Sequence, residues 1–252
     1  QKYIRKNKNG RYVMKWNKQY EYPKSMRTSI EGKRHYEITG EYLPSVTTIL
    51  SATQSAEKRA SLDNWRARVG QDQAARITDQ AAARGTAMHN ILEGYILGQN
   101  HLDLTDLGQN AHVMAQQIIK QGLCELHEVW GSEVTLYYPG LYAGATDVVG
   151  VYEGRQSIVD FKQTNKPKRR EWIEDYFLQL AAYAMAHNYV YGTHIDQGVI
   201  LMCSKDNYFQ KFMVNGLEFN HYKHKFLQKV SDYYEQRNKD LGPTCISAGQ
   251  PG

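Results

Sequence analysis

The stretch GATDVVGVYEGRQSIVDFK, residues 144–162, decides how the chain is read. Two runs rich in β-branched residues flank Glu153-Gly154, the one turn-like dipeptide inside it, which predicts a β-hairpin. With a two-residue loop there, cross-strand partners have numbers that sum to 307. Asp147 and Asp160 meet that sum, so they are expected opposite each other on one face, Cβ atoms roughly 4.5–5.5 Å apart. Two carboxylates that close repel, and the remedy is a shared proton or a divalent cation. Mg²⁺ is a hard ion that accepts one or two carboxylates together with water and phosphate oxygens. Lys162 lies two residues beyond Asp160 and shares its face, where a cation can orient metal-bound water or offset charge on a phosphorane. Val159 and Phe161 then point into the core, while Gly144 and Ala145 keep the surface low beside the pair, leaving room for a phosphate backbone. The competing reading makes Asp147 a turn or capping residue and Asp160–Lys162 a surface ion pair; on the hairpin alone both stay open.

Upstream of the hairpin, a strand is expected at 133–138, with Glu133 at its start as a further group able to reach an ion or a water. Downstream, the pattern predicts a long helix over 169–190, strands at 197–203 and 207–214, and a helix over 217–237. The half before it is helical: Ser45 is the expected N-cap of a short helix to Ala52, with further helices over 55–69, 72–98 and 104–121. Residues 10–43 read as short strands punctuated by Asn9-Gly10, Glu31-Gly32 and Gly40. The expected organisation is a small N-terminal β arm (1–43), one α/β domain (44–240, helical to 125, sheet core from 130) and a loose tail (241–252).

Composition sets limits on partners and compartment. The 252 residues are 41% hydrophobic and 23% charged, as in ordinary globular domains, and no apolar run approaches the roughly 18 residues of a membrane span. Gln1–Gly10 is polar and basic, unlike a secretory signal. Cys124, Cys203 and Cys245 are odd in number and far apart, which signals neither a disulfide framework nor a zinc site and suits a reducing interior. Net charge is +5. Through Gly40, eleven Lys/Arg stand against Glu21, Glu31 and Glu37, leaving twenty cations against twenty-three acids in the remainder. A basic arm suggests a polyanionic partner, and its Tyr3, Tyr12, Trp16, Tyr20, Tyr22 and Tyr36 suit either base stacking or packing on the domain. Lys166, Lys168, Arg169 and Arg170 follow the DxK strand. They fit substrate phosphates better than the nuclear import signal they also resemble.

Four segments in order resemble the PD-(D/E)xK nuclease superfamily, in the branch that includes RecB-type nuclease domains and the mitochondrial genome maintenance exonucleases. Arg84–His89 with Leu92-Glu93 looks like the helical histidine motif, and Gly144–Asp147 like the first aspartate motif. Val159–Lys162 supplies DxK, with Asp160–Pro167 (DFKQTNKP) especially similar, and Gln179–Tyr183 matches QxxxY. Pro44–Thr47 extends the likeness upstream. The resemblance implies a restriction-endonuclease-like α/β fold, a mixed β-sheet flanked by helices. It also implies a role for each matched residue. His89, Asp147, Asp160 and the Phe161 carbonyl would be metal ligands and Lys162 the catalytic lysine. Gln179 and Tyr183 would orient the lysine or contact DNA, and Arg84 would join the nucleic-acid contacts. The second acid is Asp160 rather than the commoner Glu, and three ill-spaced cysteines imply no iron–sulfur cluster.

The expected activity is therefore Mg²⁺- or Mn²⁺-dependent hydrolysis of DNA from single-stranded ends, by an intracellular monomer without a membrane partner, cytoplasmic or in a mitochondrial matrix. A structure-specific or restriction-type endonuclease and a non-catalytic single-stranded DNA-binding module are the alternatives.

Overall fold

The computed structural model describes residues 14–99 and 101–242. The expectations placed on Tyr3, Tyr12, the Asn9-Gly10 turn, Cys245 and most of the C-terminal tail lie outside those residues.

Three Xaa-Gly pairs organise the β structure. In Glu31-Gly32, Thr39-Gly40 and Glu153-Gly154 both residues have positive φ, at 53° and 74°, 51° and 80°, and 47° and 79°. That is the type I′ geometry whose twist matches flanking strands. The first two pairs connect β2 (Ser25–Ile30), β3 (Lys33–Ile38) and β4 (Glu41–Pro44) into a three-stranded antiparallel sheet. The third joins β6 (Tyr142–Tyr152) to β7 (Arg155–Thr164). Their ladder runs from Tyr152↔Arg155 to Val148↔Val159, the register deduced from the sequence.

The main sheet has six strands in the order β1-β5-β6-β7-β8-β9. β1 is Lys15–Trp16, β5 Leu126–Tyr138, β8 Gln197–Ser204 and β9 Phe209–Asn215. β1–β5 and β7–β8 are parallel and the other pairs antiparallel, so the expected mixed sheet is present. On one face α1 (Val46–Ala52), α5 (Glu174–Tyr191) and α6 (Gly216–Asp240) bury Val149, Ile158, Ile200 and Met202. On the other, α3 (Gln71–Ile96) and α4 (Asp106–Gln121) cover Val148, Val159, Phe161 and Leu201. Burial on both faces explains why β8 is apolar nearly throughout rather than alternating.

Two boundaries differ most from expectation. β5 begins at Leu126 rather than 133, because a register shift between Val129 and Gly131 breaks the period of two that reveals a strand. α5 begins at Glu174 rather than 169: residues 170–172 form a 3-10 turn, and Glu174 and Asp175 in the first helical turn complement the N-terminal dipole. The short α1 starts as expected, with Ser45 Oγ accepting from the Thr48 amide.

The described aromatics of the basic arm are packed on the domain, the second of the two readings left open for them. Trp16 Nε1 donates to the Ile96 carbonyl at 3.0 Å. Tyr20 and Tyr22 meet Tyr191 and His187, with Trp130 against Tyr20, and Tyr36 packs with Ile38, Leu43 and Ala143. Burial pushes the His187 imidazole down to about 4, so it is neutral between Tyr22 Oη at 3.0 Å and Thr193 Oγ1 at 2.7 Å.

The helical half is anchored unevenly. α2 (Ala56–Val69) buries no residue, and Ala74 is the one buried residue of α3 before Ala87. Lys58 near the start of α2 pairs with Asp175 at the start of α5, and Arg84 donates to Gln163 Oε1 at 3.2 Å and Asn165 Oδ1 at 2.9 Å. The α2–α3 segment thus stands off the core, tied beside the end of β7 at Arg84 and beside α5 at Lys58. No helix among the described residues is long and apolar enough to cross a membrane.

Candidate active site

The next pair of the β6–β7 ladder after Val148↔Val159 would be Asp147 and Asp160, and there the strands part. Instead of a main-chain acceptor, the Phe161 amide donates to Asp147 Oδ2 at 2.7 Å. Opposite, Glu133 takes a positive φ of 51°, a conformation that strains a non-glycine residue. The strand alternation also slips here. Tyr142 packs with α5 and α6, whereas Val148 packs with α3 and α4, although strict alternation would give even-numbered residues one face. Asp147 sits at that slip and not in a flat ladder. Its carboxyl still comes within hydrogen-bond reach of Asp160, because the fork brings the two side chains together at its crotch.

Both carboxyls are buried, at 7% and 6% exposure. Burial, then Asp160 and Glu133, push the Asp147 carboxyl well above the ordinary range. Burial works the same way on Asp160, but Lys162 and a hydrogen bond from Asp147 outweigh it and hold that carboxyl low. Without an ion, the two carboxyls therefore resist ionising together. Lys162 is half-buried; desolvation alone would lower it, but Asp160 and then Tyr176 keep it above its ordinary value. Its Nζ lies 2.7 Å from Asp160 Oδ2, donates to Gln179 Oε1 at 3.0 Å and stands 4.7 Å from the Tyr176 ring centroid. Gln179 Nε2 in turn donates to Tyr183 Oη at 3.3 Å. The i, i+4 spacing of Gln179 and Tyr183 on α5 thus continues the Asp160–Lys162 contact inward.

His89, on α3, completes the cluster from the other face. Its Nε2 is 2.7 Å from the Phe161 carbonyl and its Nδ1 is 3.5 Å from Asp147 Oδ1. Helix and strand approach this closely because residue 85 is glycine: a Cβ there would lie 3.2 Å from Gln163 Cγ. The donor set fits a hard divalent ion. His89, Glu133 and Asp147 present ligand atoms within 4.8 Å of one another, and the Phe161 carbonyl is beside them. Asp160 Oδ2 is buried and faces the Lys162 ammonium at 2.7 Å.

The remaining sequence candidates are placed less uniformly. Lys166 and Arg169 are exposed. The Lys168 main chain is held by Gln210, and Arg170 is tied to the Met213 carbonyl and Glu218, at 2.9 and 2.6 Å. The space at Gly144 is not left for phosphate, since a Cβ there would lie 2.7 Å from Tyr183 Cε1 and 2.9 Å from its Oη. That room belongs to Tyr183. Gly144→Ala is accordingly expected to destabilise the fold by about 1–3 kcal/mol, read as a lower urea midpoint with an unchanged slope. An unaltered midpoint would mean that the ring moves aside freely.

Sequence reading named Glu133 as a group able to reach an ion or a water but did not pair it with Asp147, and it missed Tyr176. The missing signal was Pro139-Gly140, the turn between β5 and β6. Tyr138↔Tyr142 gives a register sum of 280, which sets Glu133 across from Asp147.

Comparison with known proteins gives relatives of one kind. Mitochondrial genome maintenance exonuclease 1 of Mus musculus is 29% identical over 215 residues, covering 80% of this chain and 62% of that protein. The Xenopus tropicalis protein is 26% identical over 227 residues, 85% and 63% of the two chains. The human protein is 29% identical over 176 residues, 65% and 50%. The chain thus spans between half and about three fifths of these relatives. No family model matches. A solved Eubacterium rectale structure overlaps 62% of this chain and 65% of its own at TM-score 0.46 and 14% identity, too distant to carry an argument. The resemblance to this exonuclease branch, read from four motifs, is borne out by the curated relatives.

Proposed function

We propose, from kinship with the mitochondrial genome maintenance exonucleases, that this chain is a metal-dependent exonuclease acting on single-stranded DNA ends. The observation that carries the proposal is the β6–β7 fork. Two buried carboxyls, a histidine and the Phe161 carbonyl converge there beside a half-buried lysine. Asp147, Asp160, His89 and the Phe161 carbonyl would hold Mg²⁺ or Mn²⁺, with Glu133 in reach. When bound, such an ion polarises the phosphodiester and lowers the pKa of attacking water. Lys162, fixed between Asp160 and Gln179, points its ammonium at the charge that develops on the scissile phosphate. Gln179 and Tyr183 hold that lysine and leave it few alternative rotamers. Arg84, midway along α3, supplies a guanidinium to the phosphate backbone once it exchanges its amide partners Gln163 and Asn165.

Restriction to ends is attributed to the α2–α3 segment, which stands off the core and is tied down at Lys58–Asp175 and at Arg84. A single strand passes beneath such an arch and a duplex is too wide. Three cysteines without a framework favour a reducing compartment, cytoplasmic or mitochondrial. The test is digestion of linear and covalently closed circular single strands in Mg²⁺. Linear strands are expected to be consumed and circles to persist. Equal loss of both would make the protein an endonuclease.

A further inference from the structure

The packed arm leaves the stacking surface for a single strand unassigned, and another part of the fold supplies it. β7 and β8 are parallel, so their carboxyl ends, Thr164 and Ser204, reach the same edge of the sheet, where α/β proteins place ligands. The loops that follow are bonded together: the Lys205 amide donates to the Thr164 carbonyl at 2.9 Å, and Gln210 clamps both main-chain groups of Lys168 at 2.8 Å. Two large aromatics stand exposed on these loops, Trp172 at 61% and Tyr208 at 58%. The main chains beneath both are fixed. The Trp172 amide donates to the Arg169 carbonyl at 3.0 Å, and the Ser204 amide donates to the Tyr208 carbonyl at 3.0 Å. The Arg169 guanidinium lies 5.3 Å from the Trp172 ring centroid and 3.9 Å from the Glu171 carboxylate. Lys166 and Lys168 precede it on the same loop. Exposed rings on rigid main chain, interleaved with cations, are what a sequence-tolerant single-strand site requires.

We infer that Trp172 and Tyr208 stack the bases of a single-stranded nucleic acid, with Lys166, Lys168 and Arg169, four to seven residues beyond Lys162 in sequence, along its phosphates. The inference takes its substrate from the proposed nuclease but not its chemistry, so binding is measured without turnover. The probe is end-labelled twelve-nucleotide oligo(dT), with oligo(U) beside it, titrated by anisotropy in Ca²⁺ in place of Mg²⁺. Trp172→Ala is expected to weaken binding on the order of tenfold and Tyr208→Ala somewhat less. Trp172→Phe should restore most of the loss, whereas Trp172→Leu, apolar but without a ring face, should not. Replacing Lys166, Lys168 and Arg169 together with alanine should flatten the log–log salt dependence by about two. Oligo(dT) against oligo(U) separates the sugars. Unchanged affinity in Trp172→Ala would overturn the inference, and so would a loss equally large for a duplex, whose bases offer no free face. If wild-type protein binds but never cleaves in Mg²⁺, the nuclease reading fails and this one stands.

Discussion

Asp160→Asn should lower Mg²⁺-dependent cleavage of end-labelled single strands by roughly a thousandfold, because it removes both an ion ligand and the partner that aims Lys162. Asn keeps the shape and one oxygen but cannot neutralise a divalent ion, and Lys162 Nζ loses its 2.7 Å contact. Asp147→Asn is expected to fall by a similar factor. The double variant should lose little more than either single one, since groups serving one ion act as a unit. Circular dichroism checks that the variants fold. A single variant retaining more than a tenth of wild-type rate would remove that carboxylate from the mechanism.

The second large effect is on stability. In the metal-free fold the Asp147 carboxyl is held well above its ordinary value, first by burial and then by Asp160 and Glu133. A carboxyl raised on folding opposes folding as pH rises: the unfolded chain ionises in the ordinary carboxylate range while the folded one resists. Metal-free wild-type protein should therefore lose stability, relative to Asp147→Asn, as pH climbs from that range through the raised value. At neutral pH a bound divalent ion should reverse this. At a hundred times its Kd an ion adds about 2.7 kcal/mol, a rise in Tm of very roughly 5–10 °C for a domain this size. Scanning calorimetry with and without Mn²⁺ reads it directly. The Asp147→Asn and Asp160→Asn double variant should show almost no shift, and an equal shift there would place the ion elsewhere.

Much of this site was legible because it rests on local rules. Glu153-Gly154 fixed one hairpin register, and that register brought Asp160 opposite Asp147 without any tertiary information. QxxxY and the histidine motif were readable because helical spacing puts their members on one face. What escaped depends on contacts distant in sequence. The slip of alternation between Gly144 and Val148 is invisible in a strand that looks uniformly β-prone. The bulge near Gly131 hid the first seven of the thirteen residues of β5. Gly144 looked like open space until Tyr183, thirty-nine residues later in sequence, filled it. The arm's tyrosines carry the composition of a stacking surface, yet Tyr20 and Tyr22 enclose His187, whose burial no local pattern announces.

The most direct measurement is anomalous diffraction from crystals soaked in Mn²⁺, collected at an energy where manganese scatters anomalously. One strong peak is predicted in the β6–β7 fork, within bonding distance of Asp147, Asp160, His89 and the Phe161 carbonyl, and absent from Asp160→Asn crystals. Manganese bound only elsewhere, with no anomalous peak in the fork, would contradict the account.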